Sequence, residues 1–104
     1  MPEPLASATG RRKSATANVQ MFPGSGSITI NGKPVLDYLK RETLVMIVEE
    51  PLKITESLGI YDIVARAKGG GLSGQAGAVR LGISRSLVAM DETLKSTRRG
   101  KGWL

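Results

Sequence analysis

Three consecutive glycines, Gly69, Gly70 and Gly71, stand between an alternating segment and a long run without acids, and this junction constrains the chain most. Upstream, IYDIVARAK sets Ile60, Asp62, Val64, Arg66 and Lys68 against Tyr61, Ile63, Ala65 and Ala67, which predicts a strand with one charged face. Downstream, Ala76, Val79, Ile83, Leu87 and Met90 fall on one stripe of a helix running from about Ser73 to Met90. Arg80 and Arg85 lie on its other faces. Between Asp62 and Asp91 there is no acid at all, although Arg66, Lys68, Arg80 and Arg85 all occur there. Strand, glycine turn and helix therefore form one basic unit. With 104 residues, the chain has room for a single domain built around it.

The remaining segments are shorter. Residues 1–10 contain Pro2, Pro4, Ser7, Thr9 and Gly10 without apolar periodicity and are expected to be a loose tail ending at Arg11, Arg12 and Lys13. Ser14 to Met21 suits a strand with Ala15, Ala17, Val19 and Met21 on one face. Pro23 to Gly26 breaks it, and the β-branched run of Ser27 to Ile30 predicts a hairpin across that break, with Asn31-Gly32 as a following turn pair. Pro34 opens a short helix holding Val35, Leu36 and Leu39. A second helix over 42–50 buries Leu44, Ile47 and Val48 and is expected to stop at Pro51, with Leu52 to Thr55 as a strand. The domain thus spans 11–94, and 95–104 is a basic extension carrying Lys95, Arg98, Arg99 and Lys101.

A net charge of +6 directs attention to a polyanionic partner, nucleic acid or an acidic membrane surface. The absence of His and Cys excludes histidine and thiol catalysis, disulfides and thiolate zinc sites, so neither a metal nor a cofactor is expected. No apolar run approaches the roughly 20 residues of a membrane span, and MPEPLASATG lacks the features of a secretory signal, so a soluble intracellular protein without a membrane partner is expected. Glu49 and Glu50 would point about 100° apart on a helix, while Asp91 and Glu92 end one, and neither pair offers a catalytic constellation.

Gly69, Gly71 and Gly74 do match G-x-G-x-x-G between a strand and a helix. A dinucleotide fold, however, needs a further strand with an acid about 20 residues on, where this chain has only a basic tail. A P-loop fails too, because five residues separate Gly26 from Gly32 and Pro34 follows Lys33. The glycines either form a turn that binds nothing or let an anion approach the helix start closely. Lys68 and Arg80, with Ser73 and Gln75, supply contacts for phosphate and ribose hydroxyls and favour RNA. Aromatic residues are few, so such contacts work through phosphates and shape rather than base stacking.

The run GGGLSGQAGAVRLGISRSL, Gly69 to Leu87, closely resembles the signature of the bacterial and organellar small-subunit ribosomal protein nine family. The glycine triplet, Gly74-Gln75, Ala78, Gly82, Ser84 and Arg85 keep that family's spacing, joined by GRRKS, SITING and RETL, and the resemblance spans about Thr9 to Leu94. It implies an α/β (α+β) fold similar to domain two of ribosomal protein five, a mixed sheet with helices on one face and a left-handed βαβ crossover. It also implies a structural constituent, not an enzyme, that binds small-subunit ribosomal RNA in the subunit head near the peptidyl-tRNA site. Neighbouring head proteins are then partners, and the setting is a bacterial cytoplasm or the interior of a plastid or mitochondrion.

Carried over position by position, the resemblance implies RNA contact for Arg11, Arg12, Lys13, Gly69, Gly70, Gly71, Ser73, Gln75, Arg80 and Arg85. Lys95, Arg98, Arg99 and Lys101 match in basic character alone. The family's long tail, which ends in Lys-Arg and reaches transfer RNA, has no counterpart in a sequence that stops at Leu104, so either the extension is shortened or a continuation follows Leu104, and tRNA contact is not transferred. Two rivals stay open. Gly71-Leu72-Ser73 resembles the phosphate loop of small-molecule kinases, which points to a nucleotide-binding enzyme fragment, and the charge alone would suit a nonspecific coat on nucleic acid or membranes.

Overall fold

The computed structural model describes residues 3–90. In chain order the elements are β1 (Ala6–Arg12), β2 (Ala15–Pro23), β3 (Ile28–Ile30), β4 (Lys33–Pro34), α1 (Val35–Leu39), α2 (Glu42–Ile54), β5 (Tyr61–Lys68) and α3 (Leu72–Met90). They form a mixed α+β fold with one five-stranded sheet, ordered β1-β2-β5-β3-β4. β5 runs antiparallel to β2 and parallel to β3. Alternation places Ala15, Ala17, Val19 and Met21 of β2 and Ile63, Ala65 and Ala67 of β5 on one buried face, as their spacing predicts. The helices cover that face with Leu39, Leu44, Val48, Leu52, Ala76, Val79, Ile83 and Leu87, while Asn18, Val64, Arg66 and Lys68 are exposed on the other.

β1 corrects the reading of 1–10 as a loose tail, since from Ala6 onwards this segment pairs with β2, Ala6 opposite Met21 and Arg12 opposite Ala15. Its small side chains hide the strand. They are small because α3 lies very close: a Cβ built on Gly10 would sit 2.0 Å from the Ala78 carbonyl oxygen, and one on Gly82 would sit 2.6 Å from Val19 Cγ2. Backbone packs on backbone here, and no larger residue fits without moving the helix.

The predicted hairpin across Pro23 to Gly26 does not form, because β5 lies between β2 and β3. Asp62 of β5 holds that connection instead. Its Oδ1 accepts the backbone N–H groups of Ser25, Gly26 and Ser27 at 3.0, 3.3 and 3.0 Å. Those donors, Ser27 first and then Ser25, hold the carboxyl below the usual carboxylate range. The hairpin belongs instead to Asn31-Gly32, both at positive φ (53° and 81°), which joins β3 to β4 with Ile30 opposite Lys33.

α2 also departs from expectation, continuing through Pro51 to Ile54, so the strand read in Leu52 to Thr55 is its last turn. An interior proline costs a helix about 3 kcal/mol. Leu44, Val48, Pro51 and Leu52 are all buried on one stripe, and each large apolar side chain buried returns about 1.5–3 kcal/mol, which outweighs that cost. Thr55 closes the end, its Oγ1 donating to the Pro51 carbonyl at 2.8 Å.

Candidate nucleic-acid interface

The first two turns of α3 are rich in small residues, Ser73, Gly74, Ala76, Gly77 and Ala78, and Gly74, Gly77 and Gly82 let the helix settle onto β1 and β2. Gly71 precedes its first residue, and the Gln75 N–H donates to the Gly71 carbonyl at 2.9 Å. The first N–H groups of any helix lack intrahelical acceptors, and here the first turn has neither an acid nor a side-chain cap from Gly71. The positive end of the helix is thus left for an outside anion. Ser73 is exposed beside it.

Strand geometry divides the basic triplet. Arg12 points to the helix side, its Cγ 2.9 Å from where a Gly77 Cβ would lie, so its stem crosses α3. Arg11, one residue earlier, faces the opposite side of the sheet. Lys13 occupies the β1–β2 turn at φ 57° and is exposed. Arg12, Lys13, Ser73, Gly74, Gly77 and Arg80 line one open hollow with Ile47 beneath it. Residues separated by some sixty positions in sequence thus meet at the start of α3. Arg80 is half-buried and pairs with Glu50 of α2 at 3.6 Å. Such an exposed pair is worth only about 0–1 kcal/mol, so a phosphate can draw the guanidinium away.

The glycine triplet has two roles. Gly69 and Gly70 sit at φ 77° and 60° and press on Ser14 and Ala15, so the fold itself requires glycine there. Gly71 has no positive φ, and a Cβ on it would meet nothing within 4 Å. Only at Gly71 is glycine's small size spare for a ligand.

Gln75 is committed within the protein. Its Nε2 donates to the Gly69 carbonyl at 3.0 Å, and its Oε1 accepts the Tyr38 hydroxyl. Tyr38 in turn accepts from Asn31 Nδ2 at 3.0 Å, and Asn31 pairs with Ala67 through Nδ2 to the carbonyl at 2.9 Å and the Ala67 N–H to Oδ1 at 3.0 Å. This chain braces the glycine turn from α1 and the β3–β4 hairpin. Asn31 and Tyr38 carried no functional signal in the sequence beyond a turn and an aromatic, because the brace exists only once β3 lies beside β5.

Lys68 is exposed at the end of β5, opposite Thr16. Arg85 is exposed on another side of α3 from Arg80, and its Nη1 donates to the Thr9 carbonyl of β1 at 2.8 Å. The two helix arginines are not brought together. Lys95, Arg98, Arg99 and Lys101 lie outside the described residues.

Comparison with known proteins adds two findings. The family model described as Ribosomal protein S9/S16 matches residues 10–104. A small ribosomal subunit protein uS9 from Maridesulfovibrio salexigens is 54% identical over 97 residues, covering 93% of this chain and 75% of that relative.

Proposed function

Because this chain belongs to the ribosomal protein S9/S16 family, a family of ribosomal proteins and not of enzymes, we propose that it is a structural constituent of the small ribosomal subunit that binds its ribosomal RNA. The observation that carries the interface is the convergence of Arg12, Lys13, Ser73 and Arg80 on the uncapped start of α3. Phosphate oxygens there meet backbone N–H donors, the positive helix end and three cations, with Gly71 leaving space for the approach.

Gly69, Gly70 and Arg85 extend the RNA surface beside this point, Arg11 and Lys68 carry it to the opposite face of the sheet, and Gln75 serves it indirectly by holding the glycine turn. Lys95, Arg98, Arg99 and Lys101 add charge from the C-terminal side. The finer placement, in the subunit head near the peptidyl site and beside other head proteins, rests on the resemblance of the Gly69 to Leu87 run. The compartment follows the ribosome that the chain joins, bacterial or organellar. The decisive measurement is sucrose-gradient sedimentation of cell extract probed for this chain. Its bulk is expected with small subunits at moderate salt, and a chain found mainly at the top of the gradient would end the reading.

A further inference from the structure

The face of the sheet that no helix covers carries a second ordered group of polar side chains. Register fixes their arrangement, because residues paired across strands share a face. Arg11 pairs with Thr16, which pairs with Lys68; two residues along each strand, Thr9 pairs with Asn18, which pairs with Arg66. Arg11, Asn18, Arg66 and Lys68 are exposed, and two shallow hollows on this face share Asn18 and Arg66. Neither ion pair among the described residues involves Arg11, Arg66 or Lys68. The one acid farther along the same side of β5, Asp62, is turned to the backbone of Ser25 to Ser27.

From these rows we infer that the open sheet face binds the sugar-phosphate backbone of an RNA segment distinct from the one at the start of α3. Same-face neighbours along a strand lie about 7 Å apart and adjacent strands about 5 Å apart. The three cations therefore form a triangle with sides of about 7 to 12 Å, with the Thr16 hydroxyl between Arg11 and Lys68 and the Asn18 amide and Thr9 hydroxyl continuing the row that Arg66 begins. Cations spaced in this way suit successive phosphates, and hydroxyls with an amide between them suit 2′-hydroxyl groups. The rows contain no aromatic for base stacking, and protein interfaces characteristically place aromatics and Met, not Lys, at their centre. An RNA backbone fits this surface better than a protein does. Arg11 and Arg12 point to opposite sides of one strand, so the two RNA segments would lie on either side of the β1–β2 hairpin.

The inference rests on the chain being an RNA-binding subunit protein, and one experiment separates the two. Small subunits are assembled from ribosomal RNA and the other subunit proteins with the full chain, with its Asn18→Ala/Arg66→Glu variant, or with its Lys13→Ala/Arg80→Ala variant, and are mapped by hydroxyl-radical footprinting. Wild type should protect two separate sets of nucleotides. The open-face variant should lose one set, keep the other and bind about tenfold more weakly, with an unchanged thermal midpoint; the helix-side variant should show the complementary loss. Wild-type footprint and affinity for the open-face variant would overturn the second surface and leave the first standing. The same holds if Arg66 crosslinks to an acidic protein segment and not to RNA. No protection by the wild-type chain would remove both.

Discussion

At the scale of single residues, neighbouring glycines should answer substitution in opposite ways. Gly71 has open space and an ordinary φ, so Gly71→Val should cost about 1 kcal/mol or less in stability, the difference between Gly and Val at a helix N-cap. It should still weaken ribosomal RNA binding about tenfold, because its methyl groups occupy the path of the phosphate. Gly70→Val should cost about 1–2 kcal/mol or more, since φ 60° is strained for a branched residue and Ala15 is in the way. Denaturant unfolding and filter binding measure the two effects, and micromolar ATP binding abolished by Gly71→Val would favour the kinase-like rival. The helix arginines offer a second test. Arg80 and Arg85 sit about 140° apart around α3, one beside Glu50 and the other on the Thr9 carbonyl. In a double-mutant cycle their losses of RNA affinity should add within about 0.5 kcal/mol, and a coupling above about 1 kcal/mol would mean that both grip one group.

At the scale of elements, the link between β2 and β3 depends on one carboxylate and therefore on pH. The Asp62 carboxyl is held below its usual range by N–H donors, so its contribution to stability is complete above about pH 4, the ordinary carboxylate value, and is lost as pH falls through the lowered native value. Asp62→Asn should be less stable at neutral pH and show a shallower loss in acid, whereas parallel acid-unfolding curves would remove Asp62 from that role. The element scale is also where the sequence was most and least legible. β2, β5 and α3 announce themselves because each buries a large apolar set with a regular period. β1 does not, because its fit to α3 demands Ala and Gly on the helix side, where a strand usually shows Val or Ile. Likewise the charges and glycines of the interface stood out, but the side of the sheet to which Arg11 and Arg12 point could be read only after β1 was recognised as a strand. The neighbour of β3 was beyond local reading altogether, since pairing with β5 is decided more than thirty residues downstream.

At the scale of the whole molecule, affinity should report how many phosphates the basic surface neutralises. Log K for ribosomal RNA should fall by roughly 0.7 to 0.9 per phosphate contact for each unit of log salt, and affinity nearly independent of salt would contradict a backbone-reading surface. Replacing Arg11, Arg12 and Lys13 by Ala should reduce that slope, the measurement being a salt titration of binding. The strand order carries one more consequence, and it concerns time. The β1–β2 and β3–β4 pairs are local hairpins, whereas β5 arrives later in the chain and must enter between them before a single sheet exists. Contacts of long sequence separation form slowly, so the two hairpins should precede the sheet and the insertion of β5 should set the pace of folding. Pulse-labelled hydrogen exchange during refolding should then find amides of the hairpins protected before those of β5, and simultaneous protection of all five strands would show that the centre closes as early as the edges.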